Sequence, residues 1–235
     1  MLVTYARQDD PRFLHRADPA YWHPAYDALW ATCGWPRQPL GDFITHIAYG
    51  PIITRQQPPA VDGRIALVNQ GQIGYAGVDL GRALRIPEEC PWDRPSARVR
   101  PGDLVIARSG EGSVARNRLA LYAEDEPAVV GSFVDVVRLE GVEPAYVALF
   151  LKTRYGWGQI HRLVNGVATP NLSFGEIRSL ELALPPPERQ RAWRDAYFTD
   201  VYPLHRAGSP VAEEAHRRLV TAVEQFLSSR STQPC

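Results

Sequence analysis

The chain has 235 residues with 45% apolar and 22% charged side chains, the composition of a folded globular protein large enough for one domain with an appendage or two small ones. No apolar run approaches the ~18–20 residues that span a bilayer, and the opening MLVTYARQDDPRF lacks the apolar core of an export signal, so a cytoplasmic protein is expected. Twenty-six basic residues cancel twenty-six acidic ones, and three cysteines, Cys33, Cys90 and Cys235, form neither a CxxC pair nor an even framework, which argues against a global basic field, a disulfide scaffold and a cysteine-rich zinc site.

Residues 1–38 read as a lead-in arm with one short helix. Pro24 suits a first helical turn, Tyr26, Leu29, Trp30 and Cys33 recur at helical spacing, and Gly34 ends the run. Residues 39–186 then show short β-type segments bounded by Gly, Pro, Asn or Asp: 43–47, 65–69, 103–108, 119–123, 128–139 and 180–184. A helix is predicted over 143–154, and Ser173 followed by Glu176 has the spacing of a capping box that opens another. The irregular alternation points to an α+β domain on a curved, largely antiparallel sheet with long Gly-rich loops.

Pro185-Pro186-Pro187 stops that pattern, since three fixed φ values and three missing donors extend neither a strand nor a helix interior. Residues 187–235 are predicted helical. A first helix carries Trp193, Tyr197 and Val201 on one stripe and ends at Pro203. A second opens at Ser209 with Pro210 behind it and Glu213-Glu214 near its positive end. Its positions Ala212, Ala215, Leu219, Ala222 and Phe226 step 3-4-3-4, the pattern of a helix-pairing seam. That seam predicts a projecting helix pair through which two copies dimerise; the alternative is that both helices fold back on their own domain.

Enzyme motifs fare poorly. Gly110-Glu111-Gly112-Ser113-Val114-Ala115 has the GxGxxA form of a dinucleotide loop, but the next strand begins only a few residues later and leaves no room for the helix whose amides face the pyrophosphate. Gly71-Gln72-Ile73-Gly74 lacks the Lys-Ser/Thr of a phosphate loop, the six histidines form no HxH or HxxxH pair, and GxSxG is absent. A non-catalytic protein without metal or cofactor is expected.

Charge and loop chemistry point elsewhere. Between residues 98 and 118 five arginines face two acids, Asp103 and Glu111, a net of +3, and residues 144–175 contain no acid while carrying Lys152, Arg154 and Arg162. Four loops set amides, hydroxyls and arginines beside glycine: Gly50-Pro51 with Thr54-Arg55-Gln56-Gln57, Asn69-Gln70-Gly71-Gln72, Arg108-Ser109-Gly110-Glu111-Gly112-Ser113, and Asn165-Gly166 through Thr169-Pro170-Asn171. Asn and Gln pair with adenine edges and Arg with guanine in the major groove, and glycine lets backbone amides approach phosphate.

Pro39-Leu40-Gly41-Asp42-Phe43-Ile44, residues 65–80 (IALVNQGQIGYAGVDL), 99–109 (VRPGDLVIARS), 129–133, 165–172 (NGVATPNL) and 184–190 (LPPPERQ) stand in the order seen in the target recognition domain of type I restriction-modification specificity subunits, which this chain resembles over nearly its whole length. Residues 16–24, ahead of them, resemble the segment that precedes such a domain. The resemblance implies an α/β domain that reads a few base pairs of double-stranded DNA, a helical spacer, an adenine methyltransferase subunit as partner and, in complete systems, a restriction subunit. A full-length member carries two recognition domains; this chain has room for one, so a half-size subunit acting as a homodimer, a split-gene remnant and a subunit of a related defence system all stay open. Within this reading Arg55, Gln56, Asn69, Gln72, Arg108 and Asn171 are candidates for base edges, with Ser109, Asn165 and Thr169 in the same loops. Arg116, Arg118, Lys152 and Arg154 are candidates for phosphates, and Tyr155 and Trp157 for aromatic contacts to the backbone. A nucleotide-binding enzyme built on the 110–115 motif and an assembly or decoy protein that keeps the fold without reading DNA are the alternatives.

Overall fold

A computed structural model of the chain describes residues 21–51, 63–110, 116–164 and 171–229. In the first half these form α1 (Ala25–Trp30), β1 (Arg37–Pro39), β2 (Ile44–Tyr49), β3 (Ile65–Val68), β4 (Leu84–Ile86), β5 (Arg98–Val99), β6 (Leu104–Ala107) and β7 (Leu119–Leu121). There follow β8 (Ala128–Val130), β9 (Val134–Leu139), α2 (Pro144–Phe150), α3 (Arg154–Leu163), α4 (Phe174–Ser179), β10 (Glu181–Ala183), α5 (Pro187–Ala196), α6 (Tyr202–Arg206) and α7 (Ala212–Ser229).

The α+β class and the mostly antiparallel pairing match the sequence reading, but the single curved sheet is corrected to two four-stranded sheets and a ribbon. One sheet runs β2-β9-β6-β7 and is antiparallel throughout; the other runs β4-β3-β8-β5, with β3 and β8 parallel. A two-stranded ribbon pairs β1 with β10. The period-2 alternation of strand side chains assigns the layers. Val105 and Ala107 of β6 and Val134 and Val136 of β9 face the core shared with β3 and β8, whereas Leu104, Ile106 and Val137 face the helices. The first sheet is therefore sandwiched between the second sheet and a helical layer.

The segment 128–139 reads as one strand in sequence and is two. β8 lies in one sheet and β9 in the other, and residues 131–133 carry the chain across. Gly131 is required at this crossing, since a Cβ there would lie 2.0 Å from Asn69 Oδ1. Phe133 takes a left-handed φ of 63° to complete the turn.

The predicted capping box is present: Ser173 Oγ accepts from the Glu176 amide at 3.2 Å, and Glu176 Oε2 accepts from the Ser173 amide at 2.7 Å. The helix predicted over 143–154 is shorter, and Thr153, accepting the Gly156 amide through its hydroxyl, opens α3 directly behind it. Pro203 does not end the first C-terminal helix. The chain widens into a π-turn over Tyr197–Val201, with the Tyr202 amide bonding Tyr197 O, and passes the proline into α6. Widening by one residue accommodates a ring that would clash in a regular helix and an amide that is missing.

The projecting helix pair is corrected to the alternative. Trp193 of α5 stacks on Tyr146 of α2 at 5.3 Å, and Ala212, His216, Val220, Val223 and Leu227 of α7 are buried against the protein's own helical layer. The stripe of Ala212, Ala215, Leu219, Ala222 and Phe226 is rotated away from that face: Ala212 is buried, Ala215, Leu219 and Phe226 are half-buried and Ala222 is exposed. Phe226 is used within the chain, stacked on Trp35 at 5.1 Å and edge-on to Trp193 at 5.2 Å. At the N-terminal side α1 docks on α3, with Thr32 Oγ1 2.9 Å from the buried Tyr155 hydroxyl.

Asp103, at the entry to β6, ties the central sheet together. Arg138 of β9 grips its carboxylate with two hydrogen bonds, 2.8 and 2.7 Å, and the Arg100 amide adds a third at 2.8 Å. Removing one partner of a buried pair strands the other, so Asp103→Ala is expected to lower stability by about 3 kcal/mol in urea unfolding. A loss under about 1 kcal/mol would show the pair to be dispensable.

Candidate nucleic-acid interface

The strands place their ends so that loops distant in sequence meet. β2, β3, β6 and β8 end, and β7 and β9 begin, on one edge of the two sheets. There Ser109 and Asn171 form an isolated antiparallel bridge, and the Leu172 amide donates to Arg108 O at 3.0 Å. Gln70 Nε2 donates to Ser109 O at 2.7 Å and to Phe133 O at 3.3 Å. Arg118 Nη1 donates to Gln70 O at 3.0 Å, and Ser132 Oγ to Pro51 O at 2.7 Å. All four polar loops singled out in sequence, through Pro51, Gln70, Ser109 and Asn171, thus share one hydrogen-bonded edge with the β8–β9 turn.

Arg108 is at its centre. Its guanidinium lies 5.3 Å from the Tyr49 ring and 5.5 Å from the Phe174 ring, with Nε 3.5 Å from Asn171 Oδ1 and Nη1 3.6 Å from Asp135 Oδ1. The side chain keeps 23% of its surface exposed. Asp135 is fully buried, and among the described residues its nearest cation is the Arg108 guanidinium, whose Nη1 stands at 3.6 Å, beyond ordinary hydrogen-bond length. Burial pushes the pKa of its carboxyl up to about 7 against the opposing pull of Arg108. The guanidinium rests beside two rings that pack on each other with centroids 5.9 Å apart.

Several expected contacts have other duties. Asn69 and Gln72 close a turn on each other: the Asn69 amide donates to Gln72 Oε1 at 3.1 Å in a reciprocal cap. Lys152 is not a surface phosphate contact. It is 6% exposed, donates to Asn117 O at 3.2 Å and lies 4.4 Å from the Tyr75 ring centroid. Tyr155 is buried against Trp30 and Trp157 is half-buried, edge-on to His161, so both are packed beneath the surface. Arg154 is exposed but pairs with Glu224 of α7. Arg116 is exposed and Arg118 half-buried close to the loop edge. Arg55, Gln56, Asn165 and Thr169 lie outside the described residues.

Sequence reading passed over Gln70, Tyr49, Phe133, Asp135 and Phe174. Asp135 did leave a signal, as the one acid within the valine-rich strand Val134-Asp135-Val136-Val137. The dinucleotide alternative is corrected. β6 and β7, which flank the 110–115 motif, pair antiparallel with Leu104 opposite Leu121. The strands on either side of the motif are thus antiparallel neighbours, whereas a dinucleotide fold joins parallel strands there. Residues 111–115 themselves lie outside the described residues.

No protein-family model and no curated protein matches the chain by sequence. Solved structures do match it by fold. A chain from the type I restriction-modification system, solved in work on its complex assembly and conformational transition, superposes with a TM-score of 0.50 at 13% identity, covering 84% of this chain and 45% of that one. The HsdS subunit from Thermoanaerobacter tengcongensis aligns at 0.48 and 18% identity over 87% of this chain and 50% of its own. The S subunit from M. genitalium aligns at 0.47 and 12% over 69% and 38%. This chain spans half or less of the length of each. Its α+β architecture is thus one that a component of the type I restriction-modification system shares.

Proposed function

We propose that the chain is a cytoplasmic, non-catalytic DNA-recognition subunit that directs a partner adenine-N6 methyltransferase, and in a restricting system a nuclease subunit, to a target sequence. The observation that carries this reading is the edge where Gln70, Ser109, Arg118, Phe133 and Asn171 converge around Arg108. Amide and guanidinium groups there can meet base edges, and the exposed Arg116 nearby can meet phosphate. The shared fold supports the same reading.

One such edge reads few base pairs, and selectivity is set against very many competing sites. In this reading two copies act together on an interrupted, symmetric target. Their contact is not the stripe through Leu219 and Phe226, whose bulkier members pack within the chain. Selection of bound duplexes from a random-sequence library tests both levels. Enrichment of an interrupted palindrome is expected. A single uninterrupted motif would remove the second copy, and no enrichment at all would remove DNA reading.

A further inference from the structure

Three features come together at Phe133. Its backbone is left-handed at φ 63°, a conformation that bulky side chains avoid and that glycine or asparagine adopts at little cost. Its ring is 53% exposed although the turn stands on a hydrophobic core. Its backbone is nevertheless held firmly: the carbonyl accepts the Arg108 amide at 3.0 Å and Gln70 Nε2 at 3.3 Å, the Val134 amide bonds Gly131 O, and the Gly131 amide bonds Val68 O. Strain kept in place by surrounding bonds marks a position selected for something other than stability.

The other strongly exposed apolar side chains among the described residues include Phe198 and Val211, which belong to the C-terminal helical segment, and Leu84, which stands on the outermost strand β4. Phe133 is different. Tyr49, 37% exposed, belongs to the same edge, and Arg108 and Arg118 bring cations to it. An exposed ring on a rigid turn, flanked by arginines, is the arrangement by which proteins press an apolar wedge against a base step while cations hold the adjacent phosphates.

We propose that Phe133 is a DNA-contacting wedge whose ring packs against the base stack of a bound duplex and fixes how the neighbouring polar side chains meet the base edges. This rests on the DNA-recognition reading and adds to it a residue that carries no hydrogen-bonding code of its own.

The test uses the whole chain and a duplex carrying the motif that the wild type enriches from a random library. Phe133→Asn is expected to weaken binding about tenfold or more while leaving the melting temperature unchanged or raised, because Asn accepts the left-handed turn more readily. Phe133→Trp is expected to keep the affinity. The slope of affinity against salt should be the same in wild type and both variants, since no phosphate contact is lost. Failure of the wild type to enrich any duplex overturns the DNA reading and this inference together. Enrichment by the wild type with undiminished binding by Phe133→Asn overturns the wedge alone. So does a fall in melting temperature that matches the loss of binding, or unchanged DNA binding with loss of a methyltransferase partner.

Discussion

Replacing Arg108 by alanine is expected to abolish selective enrichment of duplex DNA and, at pH 8, to lower stability by about 1.4 kcal/mol through the loss of Asp135's counter-charge, with the lost packing in addition. The pH dependence identifies the cause. Asp135 is held near 7 in the folded chain against about 4 when unfolded. Between these values the unfolded state is already ionised while the folded state keeps its proton, so this group's contribution to stability falls as pH rises from about 4 to 7 and is constant above. Without Arg108 the folded pKa moves higher still, and the fall continues above 7. The variant's penalty is therefore largest in alkaline solution and shrinks toward pH 5, leaving the lost packing against Tyr49 and Phe174. Pairing Arg108→Met with Asp135→Leu removes the stranded charge and is expected to recover the alkaline stability without recovering DNA enrichment. An Arg108→Ala protein that enriches the same motif as wild type would reduce Arg108 to a structural role.

What could be read from the chain was local. The Ser173–Glu176 box closes within four residues, so its signature and its structure coincide. Strand positions and the α+β class likewise follow from alternation and turn residues that neighbours in sequence decide. What could not be read depended on distant partners. Asn69 and Gln72 look like base readers until their turn is seen to consume them. Arg108 looks like a free reader until Asp135 and two rings close around it. The α7 stripe was displaced for a similar reason. His216 is polar and drops out of an apolar pattern, yet it is buried between the rings of Tyr75 and Tyr197, and burial holds its acidity near 3, so it packs as a neutral ring at any ordinary pH. Including it gives the observed face of Ala212, His216, Val220, Val223 and Leu227.

Lys152→Met is expected to stabilise the protein by on the order of 4 kcal/mol at pH 6, since burying an ammonium group is the largest unfavourable electrostatic feature at the end of α2. Lys152 is the chain's only lysine, and the sequence placed it among exposed cations. In the fold it is enclosed by Tyr75, the Asn117 carbonyl, and the first turns of α7. Arg217 lies over the same Tyr75 ring at 5.0 Å, so the ring cannot serve Lys152 alone. Burial brings the ammonium down to about 7, with Glu213 opposing. The unfolded value is near 10.4, so between these limits the unfolded chain binds a proton that the folded chain does not. Wild-type stability from this group therefore rises as pH climbs from about 7 to 10.4, and below 7 the full cost persists. A methionine of similar length removes that cost and sets a thioether beside the ring, a favourable contact in itself. The gain should shrink to about 1 kcal/mol at pH 9.5, where the lysine is becoming neutral in both states. Paired melts of wild type and variant at pH 6 and 9.5 decide the matter: equal gains at both values would trace the effect to packing, and a loss at pH 6 would show that the ammonium holds α7 in place.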